Sequence, residues 1–131
     1  VRGHINGKDG VYAAMLLVEM LAVTGKKMSQ IMEDIQKEYG TIHMEERDYK
    51  MTQERKEEIF HMLMEEKLLP KIDVPIRDVS YLDGCKVYFE NGGWIIARFS
   101  GTEPLLRIFC EMPDETQAKA LCEKFETFLE L

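Results

Sequence analysis

The chain has 131 residues, 45% of them hydrophobic and 31% charged, and a formal net charge of -7. That length suits one ordinary domain or one domain with part of a second, and the balance of apolar and charged residues excludes a disordered chain. The negative charge argues against nucleic acid as the partner, since duplex binding needs a basic face, while a local site for a small anion stays open.

The glycine-rich opening, "VRGHINGKDG", has no hydrophobic period and reads as a loop. Residues 11–24, "VYAAMLLVEMLAVT", form an almost all-round apolar helix stopped by Gly25. Its apolar run is interrupted by Glu19 and falls short of the ~20 residues a membrane span needs, so no membrane partner is expected. Nor does the region near Val1 resemble a signal peptide. Ser29 is the expected cap of a second helix over "QIMEDIQKEY", ended by Gly40. The alternation in residues 41–51 suggests a strand. Thr52 then caps a helix to about Lys67, with Ile59, Phe60, Leu63 and Met64 toward a core. Two prolines make "LLPKIDVP" an exposed connector.

From Ile76 the pattern becomes a meander. "RDVSYL", "CKVYFE" and "GWIIARF" are separated by Asp83-Gly84 and Asn91-Gly92, dipeptides that suit two-residue turns with positive φ. "LLRIFCEM" is a fourth strand, closed by Pro113, and Asp114 with Gln117 offers a capping box for a final helix with Ala118, Leu121, Cys122, Phe125, Phe128 and Leu129 on one face. The expected fold is α+β: an antiparallel sheet of four to five strands covered by two helices, in residues 40–131, preceded by a separate unit of loop plus two helices in residues 1–39. Cys85, Cys110 and Cys122 have no metal-ligand spacing with His4, His43 or His61, so no metal site is expected; they read as free thiols packed as small hydrophobes in a reducing cytoplasm.

The densest chemistry is "RFSGTEPLLR", residues 98–107. Strand alternation places Trp94, Ile96 and Arg98 on one face, so Arg98 reaches out at the end of the sheet. Ser100 and Thr102 supply hydroxyls, Gly101 lets backbone N–H groups converge as in an anion nest, and Arg107 returns from the next strand with a second guanidinium fork. The same residues also fit a plain surface hairpin, with both arginines paired to carboxylates such as Glu103 or Glu111.

The stretch "ARFSGTEPLLRIFCE" resembles the phosphate-binding loop in the last domain of the α-D-phosphohexomutases, the phosphoglucomutase and phosphomannomutase superfamily. "GHINGKDG" followed by an apolar helix resembles that family's third-domain segment, and "LDGCKVYFENGGWIIARFSGTEP" keeps the family's spacing from the Asp-Gly turn to the phosphate loop. The resemblance therefore runs along the whole chain, in order.

It implies a four-domain enzyme that shifts a phosphoryl group between the C1 and C6 oxygens of a hexose, using a phosphoserine in the first domain and Mg²⁺ held by aspartates of the second. By position, Arg98, Ser100, Gly101 and Thr102 would clamp the phosphate that is not reacting, with Arg107 assisting, while His4 and Lys8 would line the transfer site. The sequence has no serine loop, no aspartate-rich metal loop and no sugar-recognition loop of that family. It is accordingly expected to be the C-terminal portion of such a mutase, binding no Mg²⁺ itself, inactive alone, and working with a hexose phosphate and the upstream domains. The competing expectation is a free-standing binding or interaction module without a sugar phosphate ligand.

Overall fold

In the computed structural model, which describes residues 2–131, the opening loop leads into helix α1, Gly10–Thr24. Its cap is Asp9, whose carboxylate accepts from the Tyr12 N–H, and Gly25 ends it with φ 65° and an N–H bond to Leu21 O of 2.9 Å. Helix α2, Met28–Tyr39, starts earlier than a Ser29 cap would place it. The cap position is Lys27, whose backbone N–H donates to Gln30 Oε1 at 2.9 Å. A glutamine at the third helical position can satisfy the cap residue's own N–H, so the helix starts without a hydroxyl cap. No side chain of α1 or α2 is buried.

The chain divides into two compact units, Val1–Thr41 and Ile42–Leu131. The second contains strand β1 (His43–Lys50), helix α3 (Gln53–Phe60) continued by a π-helical turn over His61–Glu65, then β2 (Ile76–Ser80), β3 (Cys85–Phe89), β4 (Trp94–Phe99), β5 (Leu105–Met112) and helix α4 (Glu115–Leu129). The five strands form one antiparallel sheet in the order β1-β5-β4-β3-β2. The meander from β2 to β5 follows the chain, whereas β1 closes the far edge by pairing with the last strand, Asp48 opposite Arg107.

Edge strand β1 has a polar inner face. The residues it turns inward are His43, Glu45, Arg47 and Tyr49, all half-buried and mostly polar. Inward charges on an edge strand oppose pairing with further chains. They are accommodated because Glu126 of α4 accepts from Arg47 Nη1 at 2.6 Å and from the Tyr49 hydroxyl.

One face of the sheet carries the core. Cys85, Val87, Phe89, Ile95, Ala97, Leu106, Ile108, Cys110 and Met112 are buried there with Ile59 and Leu63 of the α3 segment and Ala118, Leu121, Cys122, Phe125 and Leu129 of α4. Burying each large apolar side chain contributes about 1.5–3 kcal/mol. Phe60, expected in the core, is instead 41% exposed and packs edge-on against Phe99 with ring centroids 5.2 Å apart. The helix also stops short of Lys67: the Glu66 N–H bonds to His61 O five residues back, and Lys67 takes a left-handed φ of 58°. All three cysteines are free and buried, and burial pushes the Cys85 thiol up to about 11.

Neither hairpin uses the two-residue turn that its dipeptide suggested. Each supplies one positive φ, at Gly84 (114°) and Gly92 (87°), with Asp83 and Asn91 in ordinary conformations. Between β3 and β4 the Gly92 N–H bonds to Phe89 O at 3.1 Å and the Phe89 N–H to Gly93 O at 2.9 Å, a three-residue loop with glycine in the left-handed position. Between β2 and β3 the connection runs from Tyr81 to Gly84. At the start of α4 only half of the capping box forms: Asp114 Oδ1 accepts from the Gln117 N–H at 3.0 Å.

Candidate functional site

The site begins with register. Pairing of β4 with β5 sets Arg98 directly opposite Arg107, and pairing of β5 with β1 sets Arg107 opposite Asp48. On the other flank, Gly84 lies so close to β4 that a Cβ there would sit 2.4 Å from Ala97 O. That approach, open only to glycine, brings the preceding Asp83 to 3.0 Å from Arg98 Nε. Arg107 Nε lies 3.5 Å from Asp48 Oδ1. The result is a row across the end of the sheet reading acid, base, base, acid. The arginines thus pair with Asp83 of the β2–β3 connection and Asp48 of β1, not with Glu103 or Glu111 as the hairpin reading expected; Glu111 lies opposite Trp94, at the other end of the strand pair. In both pairs the closest contact is at Nε, which leaves the terminal amino groups of each fork for an incoming anion.

Like charges directly opposite each other in a sheet are destabilising. Here they stand at the mouth of the β4–β5 loop. The loop is closed by the Ser100 N–H to Leu105 O at 2.9 Å, and Ser100 Oγ accepts weakly from the N–H groups of Thr102 (3.4 Å) and Glu103 (3.3 Å). The serine oxygen therefore occupies the position of an anion oxygen in a nest of backbone donors. Gly101 does not have a positive φ, so the conformation as it stands does not require glycine. A Cβ on it would meet nothing within 4 Å, and its value to the loop is the open space above it. Arg98, Ser100, Gly101, Thr102 and Arg107 together line one cleft of about 260 Å³, with Phe99 and Glu103.

The loop that lines the cleft is held by a third cation that the sequence did not suggest. Lys56 of α3 donates to Ser100 O at 2.6 Å and to Glu103 O at 3.1 Å. Only the helix packing brings it there, 44 residues away in sequence from Ser100. Asp48 and Asp83 were also missed, although the Asp-Gly turn holding Asp83 was visible. A larger hollow of about 520 Å³ runs beside α4 at Pro70, Lys71, Lys124 and Phe128. It lacks converging donors of the kind gathered at Arg98 and Arg107.

His4 and Lys8 belong to the first unit. His4 Nε2 lies 2.9 Å from Asp9 Oδ2, and its ring stacks on Tyr12 with centroids 3.8 Å apart and planes 12° from parallel. Asp9 Oδ1 accepts from the Tyr12 N–H at 2.9 Å. This backbone bond first, and His4 second, hold the Asp9 carboxyl below its ordinary value. The aspartate that caps α1 thus also orients the imidazole. Lys8 is exposed. Among the described residues no group of three or more His, Cys, Asp or Glu side chains is placed to hold a metal ion.

Comparison with known proteins gives the same reading at both ends of the chain. Residues 21–127 match the profile "Phosphoglucomutase/phosphomannomutase, C-terminal domain", and residues 1–39 match "Phosphoglucomutase/phosphomannomutase, alpha/beta/alpha domain III". The chain is 34% identical over 119 residues to a phosphoglucomutase/phosphomannomutase of Thermococcus kodakarensis, covering 89% of this chain and 23% of that protein. It is 27% identical over 122 residues to a probable phosphoglucosamine mutase of Methanothermobacter thermautotrophicus, covering 93% of this chain and 26% of that one. The open-form crystal structure of Paramecium parafusin, a phosphoglucomutase, shares the fold with a TM-score of 0.59 at 24% identity, covering 98% of this chain and 27% of that chain. The chain thus spans about a quarter of the length of these relatives. With both units matched in order, the chain belongs to the phosphoglucomutase/phosphomannomutase family.

Proposed function

We propose that the cleft at Arg98 and Arg107 holds the phosphate of a hexose phosphate at the end of the molecule that is not reacting, within a polypeptide that interconverts hexose 1-phosphate and 6-phosphate. The observation that carries this reading is the direct cross-strand pairing of Arg98 with Arg107 beside a loop of backbone donors. Each guanidinium is held at Nε by an aspartate, which leaves the terminal amino groups of both forks side by side for one dianion. The two forks take phosphate oxygens, the hydroxyls of Ser100 and Thr102 add donors, and the N–H groups of Thr102 and Glu103 exchange their long bonds to Ser100 Oγ for shorter ones to the ligand. Such a clamp contributes positioning and charge complementarity and needs no nucleophile.

The phosphoryl donor and the metal belong to other parts of the polypeptide. In this reading the phosphoserine and Mg²⁺, which would offset charge on the phosphoryl group in transfer, lie in upstream domains. His4, oriented by Asp9, and Lys8 line the transfer site, orienting substrate or moving protons to and from sugar hydroxyls. Three free buried thiols support a cytoplasmic setting.

The test is a titration of the ¹⁵N-labelled chain with glucose 6-phosphate. The largest amide shifts are expected at Ser100 to Glu103, absent in Arg98→Ala. A wild-type chain with no response in that segment would leave only an interaction module. Conversion of glucose 1-phosphate to glucose 6-phosphate by these 131 residues alone would overturn the division of labour between the domains.

A further inference from the structure

Resting on the reading of the cleft as a phosphate site, we infer that Lys56 is a positioning residue for it, acting on the anion through the loop backbone. A nest of N–H groups binds an anion only while the loop carbonyls point elsewhere. In the β4–β5 loop the Glu103 carbonyl already accepts from the Leu105 N–H at 2.8 Å, whereas the Ser100 carbonyl, whose peptide supplies the Gly101 N–H, is held by a side chain. Lys56 takes both ends: its ammonium donates to Ser100 O at 2.6 Å and to Glu103 O at 3.1 Å, bracketing the segment that presents Gly101, Thr102 and Glu103.

Lys56 is itself placed by three features of the same region. The Thr52 cap starts α3, and the Lys56 N–H closes its first turn on Thr52 O at 3.1 Å. The residue before the cap, Met51, donates its N–H to Pro104 O at 3.1 Å, tying the loop's exit to the helix start. Phe60, one turn further along α3, packs on Phe99 at the loop's entry. The lysine thus stands on an element anchored to the loop at both ends. Two of its three ammonium protons are engaged by carbonyls.

The expected result is specific to a brace. With inorganic phosphate as the probe and ¹⁵N amide shifts as the readout, Lys56→Met weakens binding about tenfold, the value of one charged hydrogen bond, and moves the Gly101 to Glu103 resonances in the free protein. Lys56→Arg, which keeps donors for both carbonyls, binds within about twofold of wild type. Unfolding in urea confirms that both variants are folded, and Lys56→Arg carries the test if Lys56→Met is not. Unchanged affinity in Lys56→Met alongside lost binding in Arg98→Ala would overturn the brace and leave the phosphate site standing. Failure of a folded Lys56→Arg to recover affinity would also overturn it, and no phosphate response in wild type would remove both.

Discussion

Two glycines show how differently one residue type serves this site. Gly84 is required by the fold: with φ at 114° and Ala97 O 2.4 Å from where a Cβ would stand, Gly84→Ala is expected to cost about 1–3 kcal/mol in urea unfolding and to loosen Asp83 from Arg98. Gly101 has neither constraint, and Gly101→Ala is expected to change stability by less than about 0.5 kcal/mol. Its methyl group would nonetheless fill the approach to the loop, so phosphate titration should show clear weakening in a chain of unaltered stability. Equal affinity in Gly101→Ala would mean that the anion does not approach over the loop backbone. That Arg98, Ser100, Thr102 and Arg107 share one cleft was legible, because strand alternation and a short turn bring them together whatever their role. Lys56, Asp48 and Asp83 were not legible, since a lysine or aspartate on a polar helix or turn looks the same whether or not a loop lies beside it.

Among the elements, α4 holds the sheet. Phe125 is fully buried in the core cluster, whereas Phe128, on the same predicted face, is only half-buried. Phe125→Ala is expected to cost about 3–5 kcal/mol in urea unfolding and Phe128→Ala markedly less. Equal costs would show that α4 packs in a different rotation. Helical period told that α4 is amphipathic but not where its stripe ends, because the width of the stripe depends on the curvature of the sheet beneath it. Strand β1 was harder still. Its inward side chains are Glu45, Arg47 and Tyr49, and only the presence of Glu126 on α4 makes them suitable for the inside.

For the molecule as a whole, this Arg47–Glu126–Tyr49 cluster sets part of the pH range of stability. Burial works against the Glu126 carboxylate, but the bonds from Tyr49 and Arg47 outweigh it and hold its pKa below the ordinary 4.5. A carboxyl lowered on folding contributes stability that is complete above about pH 4.5 and is lost as pH falls through its folded value. Tyr49 behaves oppositely: burial, then its bond to Glu126, raise its pKa above 10.0, so the unfolded chain loses the phenolic proton first and stability falls as pH rises past that point. Glu126→Gln should cost about 2 kcal/mol at pH 7 and reduce the acid-side slope of the urea midpoint. An acid limb identical to that of wild type would place the titrating group elsewhere.

The sequence by itself determined the α+β class, the meander and the run of donor residues at 98–107. These rest on local physics: side-chain period, glycine and proline punctuation, and a run of donor residues whose chemistry survives without context. Tertiary structure alone decided the turn lengths, the membership of β1 at the far edge, the aspartates flanking the two arginines, and the lysine bracing the loop. Each of these depends on which distant segment comes to lie alongside, and cross-strand register and helix packing are set by the fit of whole faces rather than by the residues at any one position.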